Sequence, residues 1–448
     1  MPYPDTPFED NFNSSLIIGL NEEEYSTAIL KDHFEKTSKW LCSSPKITSY
    51  RVNYLKSNSE EVLEMTRKYI SKVLGTNSVI VEKHLLIPNV IVIQHDLEKK
   101  ILEKYDKEVV VDVDCASAVL RGAHIYAPGV LAMMSGTQVG DKISIYADSK
   151  KKCKRGLQKL YEDNGKIFIG NGESKMVRHE LFGENLALSG VAVQVIDTIS
   201  GCPSLGDNFL PPGLALLQNL PSILCVYALE PQPSEKILDM CAAPGNKTTH
   251  IAELMRNKGD VVAIDKTLKK TNQLKNRCAE FGAKAHIFDA DSTKIYSDDS
   301  VRKCVENGPP FSSETFDRIL LDTPCSVLGK RPQLVNSTSE KVIRSYVPLQ
   351  RKLFKTAVKL LKVNGTLVYS TCTITLAENE GMVAWALKTF DCLELVKPKL
   401  CLGGPGWEGT SLKEEQRLLV QRFGPDQPVD SVGFFFACFV KKSSCENH

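Results

Sequence analysis

Several things are scarce or missing in this 448-residue sequence, and each absence excludes something. The formal net charge is only +2, so any nucleic-acid surface must be a local basic patch rather than the whole molecule. Long apolar runs are absent. Stretches such as GFFFACFV, around Phe435, are far too short to span a bilayer. The start, MPYPDTPFEDNFNSS, is acidic and polar, without a basic head and apolar core, so no secretory signal is expected. There are fourteen cysteines but no C-x-x-C pair. That removes the common zinc and redox spacings and suggests reduced thiols in a cytoplasmic setting, most of them small packed residues. Internal repeats and low-complexity tracts are also missing. What remains, 25% charged and 42% hydrophobic, is an ordinary soluble composition, and the length exceeds one compact core, implying two or three domains.

Three textures follow one another. Residues 1–105 read as a mixed α/β segment. EEEYSTAILKDHFEKTSKWL carries Tyr25, Ile29, Leu30 and Phe34 at helical spacing; ITSYRVNYLK reads as a strand, and SEEVLEMTRKYISKVL as a helix with Ser59 as N-cap. Residues 106–204 change to short β-branched runs broken by glycine, the pattern of a small barrel or sandwich. Within them SKKKCKRG sets Lys150, Lys151, Lys152, Lys154 and Arg155 nearly side by side, either a solvated loop or a phosphate grip. Residues 205–448 alternate strand and helix. EKILDM, GDVVAID, KAHIFDA, FDRILLD and GTLVYST read as strands, and a long helix is interrupted at Pro348. A second helical pattern runs from Leu376 to Leu387. Near-continuous apolar strands predict a mostly parallel sheet covered on both faces.

ILDMCAAPGNKTTH leaves the first of these strands and enters a helix through small residues. Ligands in such sheets bind outside the carboxyl ends of the strands, where small residues permit close approach. Asp265 ends the next strand, twenty residues past Gly245, a place that suits the two hydroxyls of a ribose. Asp291, after the third strand, would then face the adenine. The bland alternative is that both aspartates only cap helices. The loop is neither G-x-G-x-x-G nor a phosphate loop, which disfavours NAD and ATP and favours S-adenosylmethionine, a nucleoside cofactor without pyrophosphate.

RILLDTPCS ends a later strand at Asp322 with Cys325 three residues on, and LVYSTCT ends the next with Cys372. Adjacent strands would bring both thiols and one carboxylate to the cofactor rim. This set suits methylation of cytosine at carbon 5. That carbon is a poor nucleophile until a thiolate adds at carbon 6 and turns the ring into an enamine. A carboxylic acid would hold the base, a second thiol would help release it, and the base must first leave its stack. A lone strand-end cysteine could equally be a packed thiol; two of them argue for chemistry.

CAAPGNK, DTPCS and STCTITLAENE resemble the cofactor loop and the two cysteine motifs of the Sun-family RNA cytosine-5 methyltransferases. RVNYLK (Arg51 to Lys56) resembles the family's N-terminal signature and GFFFACFVKK its closing strand. LRGAHIYAPGV, with Arg121, resembles a PUA domain, and that combination resembles the tRNA-modifying branch of the family. The resemblance implies a Rossmann-like methyltransferase domain with a mostly parallel seven-stranded sheet over 205–448, an inserted PUA β-barrel over 106–204, and a 1–105 segment packed on the catalytic domain. It implies Cys372 as nucleophile, Cys325 in product release, Asp322 on the cytosine, and Lys247 near that carboxylate and the methionine moiety. It places S-adenosyl-L-methionine against Cys241, Ala242, Ala243, Pro244, Gly245, Asn246, Lys247, Asp265, Asp291 and Asp322. It assigns the tRNA acceptor stem and 3′ end to Arg121, Lys154, Arg155 and Arg178 of a monomer, with no metal.

Three positions depart from that pattern. Asn246 replaces a second glycine, Thr323 an alanine, and Val327 a glycine. If Val327 sits at positive φ, a β-branched residue is strained there. Two readings follow: an active tRNA methyltransferase, or a catalytically impaired tRNA-binding protein that keeps the fold.

Overall fold

The computed structural model describes residues 12–21, 25–74, 79–95, 101–183, 188–205, 209–298, 304–336, 338–425 and 427–444. The first eleven residues, most of the stretch read above as lacking a secretory signal, lie outside them. Among the described residues no helix is long and apolar enough to cross a membrane.

The described residues build three sheets. The first has the order Ala215–Leu217, Ile47–Val52, Val90–His95, Val79–Lys83, antiparallel throughout. Its edge strand Ala215–Leu217 comes from far along the chain, so the residues between His95 and that strand are an insertion into this sheet. The helix Ser59–Leu74 lies between its strands in sequence. Ser59 does not cap it: the Glu61 amide donates to Asn58 Oδ1 (3.0 Å), while Ser59 Oγ donates to the Pro88 carbonyl (2.6 Å).

The insertion is a six-stranded sheet in the order Ile125–Tyr126, Val191–Thr198, Lys166–Ser174, Lys142–Asp148, Glu108–Val111, Val130–Met133. Its register shifts bend the strands, as at Ile145/Tyr146 and Asn171/Gly172. Its apolar face shares one core with Leu30, Phe34 and Leu41 of the helix Thr27–Leu41 and with Leu328, Leu334 and Ile374 of the catalytic region.

The third sheet positions the site. Its path is His286–Asp289, Asp260–Asp265, Lys236–Asp239, Phe316–Asp322, Leu361–Thr371, Phe434–Lys441, Leu393–Val396. The first five are parallel, and Phe434–Lys441 enters antiparallel. There are eight strands rather than the expected seven, because Gln421–Phe423 also pairs with Phe434–Lys441. Lys236–Asp239 is flanked by the strand that follows it and by Phe316–Asp322, so the order reverses there, and a ligand crevice opens at such a point. The helix Leu220–Leu229 shares a core with this sheet through Leu224, Leu320, Val368 and Phe436.

Two helices differ from the sequence expectation. Glu340–Leu360 runs unbroken through Pro348. Pro348 is exposed, so the carbonyl its ring leaves unpaired can take water. The helix expected from Leu376 begins at Glu380 instead, because residues 373–379 are held by side-chain hydrogen bonds.

Candidate active site

The cofactor side begins where Lys236–Asp239 ends. Asp239 is buried, and Thr248 Oγ1 donates to its Oδ2 (2.7 Å) while Oδ1 has no hydrogen-bond partner among the described residues. Burial, with the nearby Asp322 charge, pushes this carboxyl up to about 7. The loop turns back through Gly245 N donating to Ala242 O (2.8 Å), with Gly245 at φ 106°. A Cβ there would lie 2.7 Å from Leu274 Cδ1, so only glycine fits. Asn246 is the first residue of the helix Asn246–Leu254 and is not left-handed, so the loss of a second glycine costs the backbone nothing there.

Asp265 faces this loop, accepting from Ala243 N (3.1 Å) and Lys266 N (2.8 Å) and pairing with Lys270 (3.2 Å). Asp291 accepts from Thr293 Oγ1 (2.7 Å) and Thr293 N (3.1 Å), which with Lys266 holds its carboxyl below the usual range. Ser222, Asp239, Cys241, Ala242, Ala243, Pro244, Asn246, Lys247 and Asp322 line one cavity. Its donors fit a nucleoside-methionine cofactor: small residues along the wall, an unpartnered buried carboxylate oxygen for an ammonium, and Asp265 at the next strand end.

Lys247 crosses from this cavity to the chemistry. Its Nζ lies 2.6 Å from Asp322 Oδ2, and Ser370 Oγ donates to Asp322 Oδ1 (2.7 Å). Burial works against the ammonium, but Asp322 outweighs it and holds Lys247 more firmly protonated than usual. Strand pairing sets Asp322 opposite Ser370, and the two cysteine loops leave the same rim. Cys325 Sγ and Cys372 Sγ are 3.3 Å apart. The hydrogen bond from Cys325 favours the Cys372 thiolate against burial, and Lys247 assists. Cys325 is correspondingly held protonated, by that bond, by burial and by the Glu378 charge.

The loops are cross-tied. Gly329 N donates to Cys372 O (3.0 Å), and Ser326 Oγ lies 2.7 Å from Thr373 Oγ1. Val327, between them, has φ 59° and is 40% exposed, so the expected left-handed strain is present. Thr323 is buried, and its amide donates to Ser370 O (3.1 Å).

Sequence reasoning missed several groups. Glu378, Asn379 and Glu380 are fully buried. Arg422 donates from one guanidinium nitrogen to both carboxylate oxygens of Glu380 (2.9 and 2.8 Å) and from the other to Ile374 O. The signal was available: three polar residues, ENE, directly before the apolar GMVAWAL run. Arg51 of RVNYLK is also buried. It pairs with Glu253 and donates to Gln218 Oε1 (2.9 Å), Thr249 Oγ1 (2.9 Å) and Asn246 O (3.3 Å), while Asn53 Nδ2 donates to Gly213 O and Phe281 O (2.8 Å each). The signature thus docks the first sheet onto the helix that follows the cofactor loop.

The four basic residues do not line one cavity. Lys154 and Arg155 are exposed, and Arg155 shares a cavity with Arg178 and Phe182. Arg178 spends its guanidinium on Met133 O, Leu157 O and Gly156 O. Arg121 is half-buried, donates to Arg331 O (3.2 Å) and lines a different cavity, with Ser49, Gln218 and Asn246. Twelve of the described cysteines are free, whereas Cys392 is disulfide-bonded, against the expectation of reduced thiols.

A reversing parallel sheet with a small-residue loop at the switch point and carboxylates on successive strand ends defines an S-adenosylmethionine-dependent methyltransferase. Residues 226–440 match the family described as 16S rRNA methyltransferase RsmB/F. The chain is 42% identical to the tRNA (cytosine(72)-C(5))-methyltransferase NSUN6 of Mus musculus, over 95% of this chain and 94% of that protein. It is 41% identical to the Homo sapiens protein of the same name, over 99% of each. The crystal structure of NSun6 from Pyrococcus horikoshii with SFG, an S-adenosylmethionine analogue, superposes with a TM-score of 0.74 at 27% identity, covering 98% of this chain and 99% of that one. The chain belongs to the Sun family of RNA (cytosine-5) methyltransferases.

Proposed function

We propose that this chain is an active tRNA (cytosine-5) methyltransferase that modifies a cytosine near the 3′ acceptor end. The carrying observation is the pair of thiols in contact, one favoured as thiolate and one as thiol, beside the Lys247–Asp322 pair. S-adenosylmethionine, when bound along the 241–247 loop, supplies an electrophilic sulfonium methyl. Cys372 adds to carbon 6, and its electron pair makes carbon 5 nucleophilic towards that methyl. Asp322, oriented by Ser370 and Lys247, accepts from the exocyclic amine of the cytosine, and from its ring nitrogen 3 once that nitrogen carries a proton. In release, the carbon-5 proton passes to water, its bond pair closes the C5=C6 double bond, and the C6–S pair returns to Cys372. Cys325 donates a hydrogen bond to that departing thiolate.

Residues 1–105 and 205–448 then form the catalytic body and 106–204 a PUA domain. Lys154 and Arg155 supply phosphate contacts, Arg178 braces that surface from within, and Arg121 meets the strand nearer the pocket. Asp265 takes the ribose and Asp291 the adenine side. One monomer acts on one tRNA, in the cytoplasm.

Incubation with tritiated cofactor and unmodified tRNA should place label in 5-methylcytosine. No label, where a related enzyme labels the same RNA well, refutes the proposal. The left-handed Val327 favours one second reading, a tRNA-binding protein with impaired turnover. It predicts tight tRNA binding without label.

A further inference from the structure

Glu378 is fully buried, on the segment just past Cys372, and takes no part in the steps above. Four donors converge on it: Ser326 N (3.0 Å), Ser326 Oγ (2.5 Å), Gln350 Nε2 (2.8 Å) and Thr375 Oγ1 (2.8 Å). They come from three different pieces of chain. Ser326 follows Cys325, Thr375 lies three residues past Cys372, and Gln350 belongs to the helix Glu340–Leu360, from which it also donates to Pro324 O (3.0 Å). Burial raises this carboxyl above the usual carboxylate range, while the four hydrogen bonds pull the other way and favour the ionised form.

The two thiols are held unequally. Cys372 continues directly from the strand Leu361–Thr371, whose register fixes it. Asn379 adds support, accepting from Thr371 Oγ1 (2.6 Å) and donating to Thr373 O (3.1 Å). Cys325 lies on a loop with no strand pairing of its own. The residue after it is tied to the Cys372 segment by Glu378, on its amide and on its hydroxyl. The same charge favours the protonated form of Cys325.

We propose that Glu378 is the positioning residue that clamps the Cys325 loop against the Cys372 loop, keeping the two sulfurs in contact so that Cys325 can assist release. The part concerning release rests on the functional reading above; the clamp itself does not. Removing the clamp uncouples the two halves of the reaction. Cys372 keeps its strand and still adds to the base, while Cys325 drifts from the leaving sulfur and the covalent adduct persists.

Two measurements on the full-length protein test this, with Glu378→Gln as the main variant. Gln keeps the volume but turns an amide group towards the Ser326 and Gln350 donors. The first measurement uses diamide without RNA. It takes two electrons and two protons from the thiols, is reduced to its hydrazine, and leaves an S–S bond, quantified by peptide mass. The wild type should form the Cys325–Cys372 disulfide readily, and Glu378→Gln at least about tenfold more slowly, from the loss of charge-assisted hydrogen bonds. The second counts covalent protein–tRNA adducts on denaturing gels. Glu378→Gln should accumulate them as Cys325→Ala does, with addition at Cys372 nearly unchanged.

Unchanged disulfide formation in a folded Glu378→Gln protein overturns the proposal. So does an equal fall in adduct formation and turnover, the mark of a merely structural role. If that variant does not fold, Ser326→Ala, which removes one tie, must show both effects more weakly, and its failure to do so is equally fatal. If neither wild type nor Cys325→Ala forms any adduct with tRNA, the functional reading fails, and the diamide comparison still decides the clamp.

Discussion

Asp239→Asn should change how stability depends on pH, and the structure gives the sign and size. In an unfolded chain this carboxyl titrates near 3.8; in the fold it titrates at about 7, raised by burial and by the Asp322 and Asp265 charges against the Thr248 hydroxyl and Lys247. Below 3.8 both states carry the proton. Between 3.8 and 7 the unfolded chain releases it and the native state keeps it, so this group's stabilisation is lost as pH rises, and above about 7 nothing further is lost. Each pH unit within that window is worth about 1.4 kcal/mol, so going from pH 5 to pH 8 removes about 2–3 kcal/mol from the wild type. Asp239→Asn cannot titrate. It suffers a constant penalty of roughly 1–3 kcal/mol for a poorly paired amide, and that penalty does not move with pH. Urea denaturation at half-unit steps from pH 5 to 8.5 should therefore show the variant gaining about 2–3 kcal/mol relative to wild type, with the titrating groups remote from Asp239 cancelling in the difference. Parallel curves, or a gap that moves in the variant's disfavour as pH rises, would refute a buried, high-titrating Asp239.

Cys325→Ala should accumulate an adduct with tRNA that survives denaturing gels, whereas Cys372→Ala should give none; an adduct in Cys372→Ala means that the two roles are exchanged. Val327→Gly relieves about 1–2 kcal/mol of left-handed strain and loses a similar amount to chain entropy and burial, so its melting temperature should barely move. Its methyl transfer should stay within a few-fold of wild type, and a gain of about a hundredfold would favour the impaired reading. Arg51→Met strands Glu253 in the interior and should cost about 3–5 kcal/mol by denaturant titration. Adding Glu253→Gln should recover part of that loss, and simple additivity would sink the pairing.

The catalytic sheet was legible because a parallel strand buried on both faces reads as a short apolar run ending in a polar residue; Asp239, Asp265 and Asp322 mark three such ends. The thiol pair was legible for the same reason, since consecutive strand ends share a rim. Pairing between distant segments was not. Nothing in ALL at 215–217 announces a strand that completes a sheet begun at Ile47, and Gln421–Phe423 is too short to show a period. Glu378, Glu380, Arg422 and Arg51 carry charges that composition assigns to the surface. Only the hydrogen-bond partners around them, drawn from segments far apart in sequence, show that they are interior. Pro348 illustrates the converse: a breaker is harmless where the freed carbonyl faces water.

The return of Ala215–Leu217 to the Ile47–Val52 strand also fixes an order of events during synthesis. The ribosome must pass Leu217 before the first sheet can gain its edge strand, and must pass Glu253 before the guanidinium of Arg51 can find its counter-charge. The inserted six-stranded sheet, whose strands lie between 108 and 198, has all its pairing partners in hand sooner. The first sheet is thus finished only after every strand of the inserted six-stranded sheet has been made.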